Sequence, residues 1–210
     1  MSRQSKSHVI RRSLTAAAIA AIAAVVLSAC SATAEAPSGA PEGAGVKVVD
    51  EALLSDLGLA GLDARAIVDR LDAQPLAERP DDYSASVRPD TLVITDASQR
   101  ETTLPMPADE FYVSIAPYET QTHECYFHSL TGCVGEIHNG EVDVLITDTS
   151  SGQVLIDESR TTFDNGFVGV WLPRDIDVQV TIGYDGKTAT TELSTRSLED
   201  ATCVTTMQLA

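Results

Sequence analysis

The sequence predicts an α+β protein: an N-terminal helical hairpin, then a β-rich body whose C-terminal part is a small antiparallel, sandwich-like unit. Three observations carry this expectation. Two early runs repeat their apolar residues at helical spacing, short β-rich runs replace them from Tyr83 onward, and turn signals separate those runs at near-regular intervals.

In the first run, Val49, Leu53, Leu54 and Leu57 share a helical face, and Gly58 is placed to end it. In the second, Asp63 is the expected N-cap and Ala64, Ile67, Val68 and Leu71 follow at i, i+3, i+4 and i+7. Pro75 and Pro80 close the helical region, so residues 46–74 read as a helical hairpin. Strands are expected at 83–87, 91–95, 102–104, 111–116, 141–147, 154–157, 166–172, 176–183, 188–194 and 202–209. Between them stand Arg88-Pro89-Asp90, Asn139-Gly140, Ser151-Gly152, Asp164-Asn165-Gly166 and Asp185-Gly186. The even spacing after about residue 140 points to the sandwich.

Ahead of these elements lies an export signal. Arg3, Lys6, Arg11 and Arg12 precede an apolar run from Leu14 to Val26, which at 13 residues is shorter than the roughly 20 that span a bilayer. Leu27-Ser28-Ala29-Cys30 then resembles a bacterial lipobox, in which Cys30 carries the lipid and becomes the mature N-terminus. Ordinary cleavage near Ala32 or Ala34 is the alternative, and Arg11-Arg12 leaves twin-arginine export beside ordinary secretion. Residues 1–29 are thus the expected lipoprotein signal peptide and 30–45, rich in Ala, Gly, Pro and Ser, a flexible tether. The remainder divides into an N-terminal α+β part, 46–122, and a loop with the β-rich C-terminal part, 123–210.

The whole chain has 31 acidic and 14 basic residues, a net charge of −17; loss of residues 1–29 removes four bases and takes it to −21. Charge of that sign repels nucleic acid, which is excluded as a partner. On its own the acidic excess reads as a solvated surface.

Chemistry is concentrated in His123-Glu124-Cys125-Tyr126-Phe127-His128-Ser129-Leu130-Thr131-Gly132-Cys133, which holds two of four cysteines and two of four histidines. Thiolate beside imidazole suits copper(I), with zinc as the other metal this set accepts. Cys125 and His128 share a face if the segment is helical, His123 and Cys125 if it is extended, and Cys133 can fold back across Thr131-Gly132. On a strand beginning at Thr202, Cys203, Thr205 and Met207 would share a face, bringing more sulfur to the same site. With Cys30 lipidated three cysteines remain, an odd count in an oxidising compartment. The competing reading is a disulfide, Cys125 to Cys133 or either to Cys203; a pair that is thiol when loaded and disulfide when empty would join the two readings.

Other residues read more plainly: His138 as a solvated turn histidine, Met106 and Met207 as packing, and Trp171 as a core residue between sheets. Enzyme templates do not fit. His128 falls one place beyond the second histidine of HExxH, and neither GxSxG nor CxxC occurs.

The stretches 111–118, 123–136, 165–174 and 202–209 resemble the CueP family of copper-binding proteins of the bacterial cell envelope, a resemblance that runs from about residue 48. It implies copper binding outside the cytoplasm in the service of copper tolerance, by sequestration or by delivery to a client protein. It also implies that the family's cysteines fall on Cys125, Cys133 and Cys203 and its histidines on His123 and His128. The lipobox departs from the soluble periplasmic members and points to a chain anchored on the outer face of the cytoplasmic membrane, buffering copper there. The alternatives are a thiol-based copper(II) reductase and an adhesion module whose cysteines are only bridges.

Overall fold

The computed structural model describes residues 49–210; the signal peptide, the lipobox Cys30, the tether and residues 46–48 of the helical stretch lie outside them. Helix α1 spans Glu51–Asp56, capped by Asp50, whose carboxylate accepts from the Leu53 amide at 2.9 Å. It stops at Leu57, where Gly58 takes φ +68°, a left-handed conformation that glycine adopts without steric cost. Helix α2 spans Ala64–Asp72 with Asp63 as its cap, and a short 3-10 turn, Leu76–Glu78, follows Pro75.

Ten strands follow: β1 (Tyr83–Val87), β2 (Thr91–Asp96), β3 (Glu101–Pro105), β4 (Glu110–Ile115), β5 (Glu141–Asp148), β6 (Val154–Thr161), β7 (Val168–Pro173), β8 (Asp177–Tyr184), β9 (Lys187–Ser194) and β10 (Cys203–Val204). They form three sheets, ordered β1-β2-β3, β10-β4-β7 and β6-β5-β8-β9. The β1-β2-β3 meander packs on the two helices through Leu54, Ile67, Val68, Leu71, Ala85, Val87, Leu92 and Ile94. The other two sheets share a second core. Phe111, Val113 and Ile115 of β4 and Val168, Val170 and Leu172 of β7 meet alternate residues of β5 and β8, from Val142 to Ile182. Each such side chain contributes about 1.5–3 kcal/mol on burial, so the period-two alternation decides which face of each strand turns inward.

Two expectations need correction. The C-terminal strand is not an eight-residue strand: β10 has two residues and runs parallel to β4, the exception among otherwise antiparallel pairs. The Ala116 amide donates to the Val204 carbonyl and that of Tyr118 to the Met207 carbonyl, so three steps on one side face two on the other. That extra residue breaks the ladder as a bulge does. In consequence Cys203 and Met207 do not share a face; Met207 joins the sandwich core.

Trp171 is not between the sheets. On β7 the residues Val168, Val170 and Leu172 point into the sandwich, which leaves Trp171 on the face towards α2. There its indole N–H donates to Asp69 at 2.7 Å, the Arg65 guanidinium lies 4.6 Å from its ring, and Tyr112 packs at 4.8 Å.

Candidate metal centre

The loop from Gln121 to Gly135 has no helix and no strand of its own, so its shape depends on what it borrows. It borrows from β1: the Val87 amide donates to the His128 carbonyl at 2.8 Å and the Leu130 amide to the Ala85 carbonyl at 2.9 Å. It borrows from the chain entering β10, where the amides of Thr202 and Cys203 both donate to the Tyr126 carbonyl, at 3.0 and 3.1 Å. A single helical turn then closes from the Cys133 amide to the Ser129 carbonyl at 3.0 Å, and it brings the Cys133 sulfur within 3.4 Å of the Ser129 amide. The loop ends where Gly135 and Gly166 pack backbone on backbone. A β-carbon on Gly135 would lie 2.8 Å from the Gly166 carbonyl oxygen, and Gly166 also needs φ +80°.

These anchors bring the donors together. The sulfurs of Cys125 and Cys133 are 3.3 Å apart, well beyond the roughly 2.05 Å of a disulfide, and the three cysteines among the described residues are all free. The disulfide expectation is therefore not met. Nδ1 of His128 lies 3.6 Å from the Cys203 sulfur. Two donor sets result, His123 with Cys125 and Cys133, and His128 with Cys133 and Cys203; within each, the ligating atoms lie within 4.8 Å of one another.

His128 is fully buried, and its orientation is set from behind. Its Nε2 is 2.9 Å from Oδ1 of Asp72, the last residue of α2 and also fully buried. Asp72 in turn accepts from the Tyr112 hydroxyl, from the Ser114 hydroxyl at 2.8 Å and from the Asn165 amide at 2.8 Å. Thr202 holds the His128 amide at 3.0 Å while donating to the Val87 carbonyl at 2.7 Å. Burial opposes the Asp72 charge, yet the charge and hydrogen bond of His128, with the two hydroxyls, hold its pKa below the usual value. Burial likewise opposes a charged His128, but Asp72 and the neighbouring thiols hold its pKa well above the usual value. Hydrogen bonds from Cys125 and Cys203, followed by His128, lower the pKa of Cys133 and favour its thiolate; Cys203 is pushed the other way by Cys125 and Cys133.

His123 has no such support. Its Nε2 is buried without a hydrogen-bond partner, although the residue itself is only half-buried. Phe167 stands between the two imidazoles, its ring centre 6.2 Å from that of His123 and 4.7 Å from that of His128. His138 stays apart, exposed on its turn with Nδ1 against the Asp164 carbonyl. Met106 packs in the core under the helices.

Sequence reading missed Asp72, Tyr112, Ser114 and Asn165. A signal for Asp72 was present: it continues the apolar stripe of α2, four residues beyond Val68, where a carboxylate needs a buried partner. Arg79 was missed as well. It donates from Nη1 to the Cys133 carbonyl at 2.8 Å, while its Nε and Nη2 are buried and unpartnered.

The sequence pattern of one family, described as periplasmic copper-binding protein CueP, matches residues 66–208. The crystal structure of S.CueP is 39% identical to this chain, with a TM-score of 0.71 over 78% of this chain and 98% of that one. No curated protein sequence matches the chain.

Proposed function

Because this chain belongs to the CueP family of periplasmic copper-binding proteins, we propose that it binds copper(I) outside the cytoplasm through Cys125, Cys133, Cys203, His123 and His128. One observation carries the reading: three free thiols and two imidazoles converge into two sets that meet at Cys133. Soft sulfur with imidazole nitrogen is the donor chemistry copper(I) favours, and zinc is the competitor to be measured beside it. The donors fit the ion in a second respect. The buried, unpartnered Nε2 of His123 is an unsatisfied polar atom that a metal would satisfy.

Copper is cargo here, sequestered for tolerance at the membrane surface or handed on to a client. Among the described residues no helix is long and apolar enough to cross a membrane, so the proposed membrane link is the lipid on Cys30. Titration of the reduced chain with copper(I) against a competing chelator tests the reading, beside the triple variant Cys125→Ser, Cys133→Ser, Cys203→Ser. Tight binding that the triple variant loses is expected; equal affinity of the two overturns the proposal.

The 3.3 Å approach of Cys125 to Cys133 favours a second reading, reduction of copper(II). Disulfide formation releases two electrons and two protons, enough to convert two copper(II) ions to copper(I). Continued turnover with an added thiol donor would mark a reductase, and arrest after one disulfide per chain a binding protein.

A further inference from the structure

We propose that copper occupies two positions in this chain, an outer landing position made by His123, Cys125 and Cys133 and an inner holding position made by His128, Cys133 and Cys203. The proposal rests on the copper(I) reading above. The two donor sets share Cys133 alone, and they differ in burial: His123 and Cys125 are half-buried, whereas His128, Cys133 and Cys203 are all buried. Two clefts open onto His123. One runs past Glu136 and His138, the other past Glu124 and Cys125, and neither is lined by His128, Cys133 or Cys203. An ion arriving from solvent therefore meets the outer set first.

The two sets also differ in what binding costs them. Nε2 of His123 has no partner to lose, so it can take an ion without breaking a hydrogen bond. His128 is fixed by Asp72, and Cys203 by its pairing with Ser114 in the β10–β4 ladder, which preorganises the inner set. Transfer is a ligand exchange with no change of oxidation state. Bonds from copper to His123 and Cys125 break, bonds to His128 and Cys203 form, and Cys133 stays bound throughout. The proton that leaves the Cys203 thiol is taken up by the Cys125 thiolate, so the charge of the site is conserved. Cys133 belongs to both sets, and within each the ligating atoms lie within 4.8 Å of one another, which keeps the displacement short.

Rapid mixing tests this on the reduced full chain. Uptake from a copper(I)–glutathione complex is followed by thiolate-to-copper absorption, and removal by the colour of bathocuproine disulfonate. His123→Ala should slow uptake and removal together, each by about tenfold, whereas Cys203→Ser should speed removal by at least about tenfold. His123→Gln, which keeps the side chain's bulk, should slow both directions likewise, and far-ultraviolet circular dichroism confirms that the variants are folded. If His123→Ala instead speeds removal, His123 is an ordinary ligand of a single position and the two-position proposal falls; unchanged rates in both directions overturn it as well. A wild-type chain that takes up no copper(I) at all refutes the copper reading itself, a failure that the wild-type trace alone reveals.

Discussion

His123 and His128 sit five residues apart on one loop and lead opposite lives. His128 is fully buried, and a chain of hydrogen bonds runs back from its ring through Asp72 to Tyr112, Ser114 and Asn165, which come from β4 and from the turn before β7. His123 is half-buried beside two clefts, and its Nε2 bonds to nothing. The difference separates rigidity from access. The imidazole backed by a buried carboxylate is held in place, and the one that lines the clefts is left unpaired.

The largest effect is expected from cutting the backing of His128. Asp72→Ala leaves an imidazole, two hydroxyls and an amide without their shared acceptor, and removing one partner of a buried charged pair costs about 3–5 kcal/mol. Urea unfolding of the reduced, metal-free chain should show that loss; a change below about 0.5 kcal/mol, the level of an ordinary surface substitution, would mean that Asp72 does not hold His128 as described. A smaller effect should reach the same carboxylate indirectly. Gly169 lies under the Tyr112 ring, and a β-carbon there would overlap the Tyr112 hydroxyl. Gly169→Ala should therefore push Tyr112 off Asp72 at about 1–3 kcal/mol, the scale of overpacking. The checks are the same unfolding curve and the loss of the Tyr112 hydroxyl's protection from exchange.

The contrast between the two histidines also marks how far the sequence was legible. The Asp63 cap of α2 and nine of the ten strands follow from patterns that are local: a polar cap before an apolar stripe, or alternation that a single strand displays by itself. The Cys/His loop was legible because its residue types are rare and clustered. What could not be read is what tertiary contact decides. Asn165 in Asp164-Asn165-Gly166 carries every mark of a turn residue, and its side chain serves as a turn residue by accepting from the Phe167 amide while also donating to Asp72. Asp72 lies on the apolar stripe of α2, which marks its burial, but only the fold sets Ser114 and His128 against it. Alternation with Val170 turns Trp171 towards α2 and not between the sheets, and the added residue that ends the C-terminal ladder early leaves no mark in composition.

The smallest predicted effect lies on the open side. Upstream of His123, the amides of Glu119 and Thr120 donate to the Glu136 carboxylate at 2.6 and 3.0 Å, and the Thr120 hydroxyl donates to it too. The Thr120 side-chain hydrogen bond, followed by those backbone amides, lowers the Glu136 pKa to about 2. A carboxylate held below its unfolded value stabilises the fold fully above that value, near 4.3, and loses the contribution as pH falls through the folded one. Acid should therefore release the 119–120 turn while His128, buried behind Asp72, keeps its place. Amide hydrogen exchange at Glu119 and Thr120 should quicken, relative to the intrinsic rate, between about pH 4 and 2, and Glu136→Gln should flatten that dependence. If the same pH fall frees the Leu130 and Val87 amides in step, the two sides of the loop open as one unit, and the division between a rigid inner and a yielding outer side is wrong.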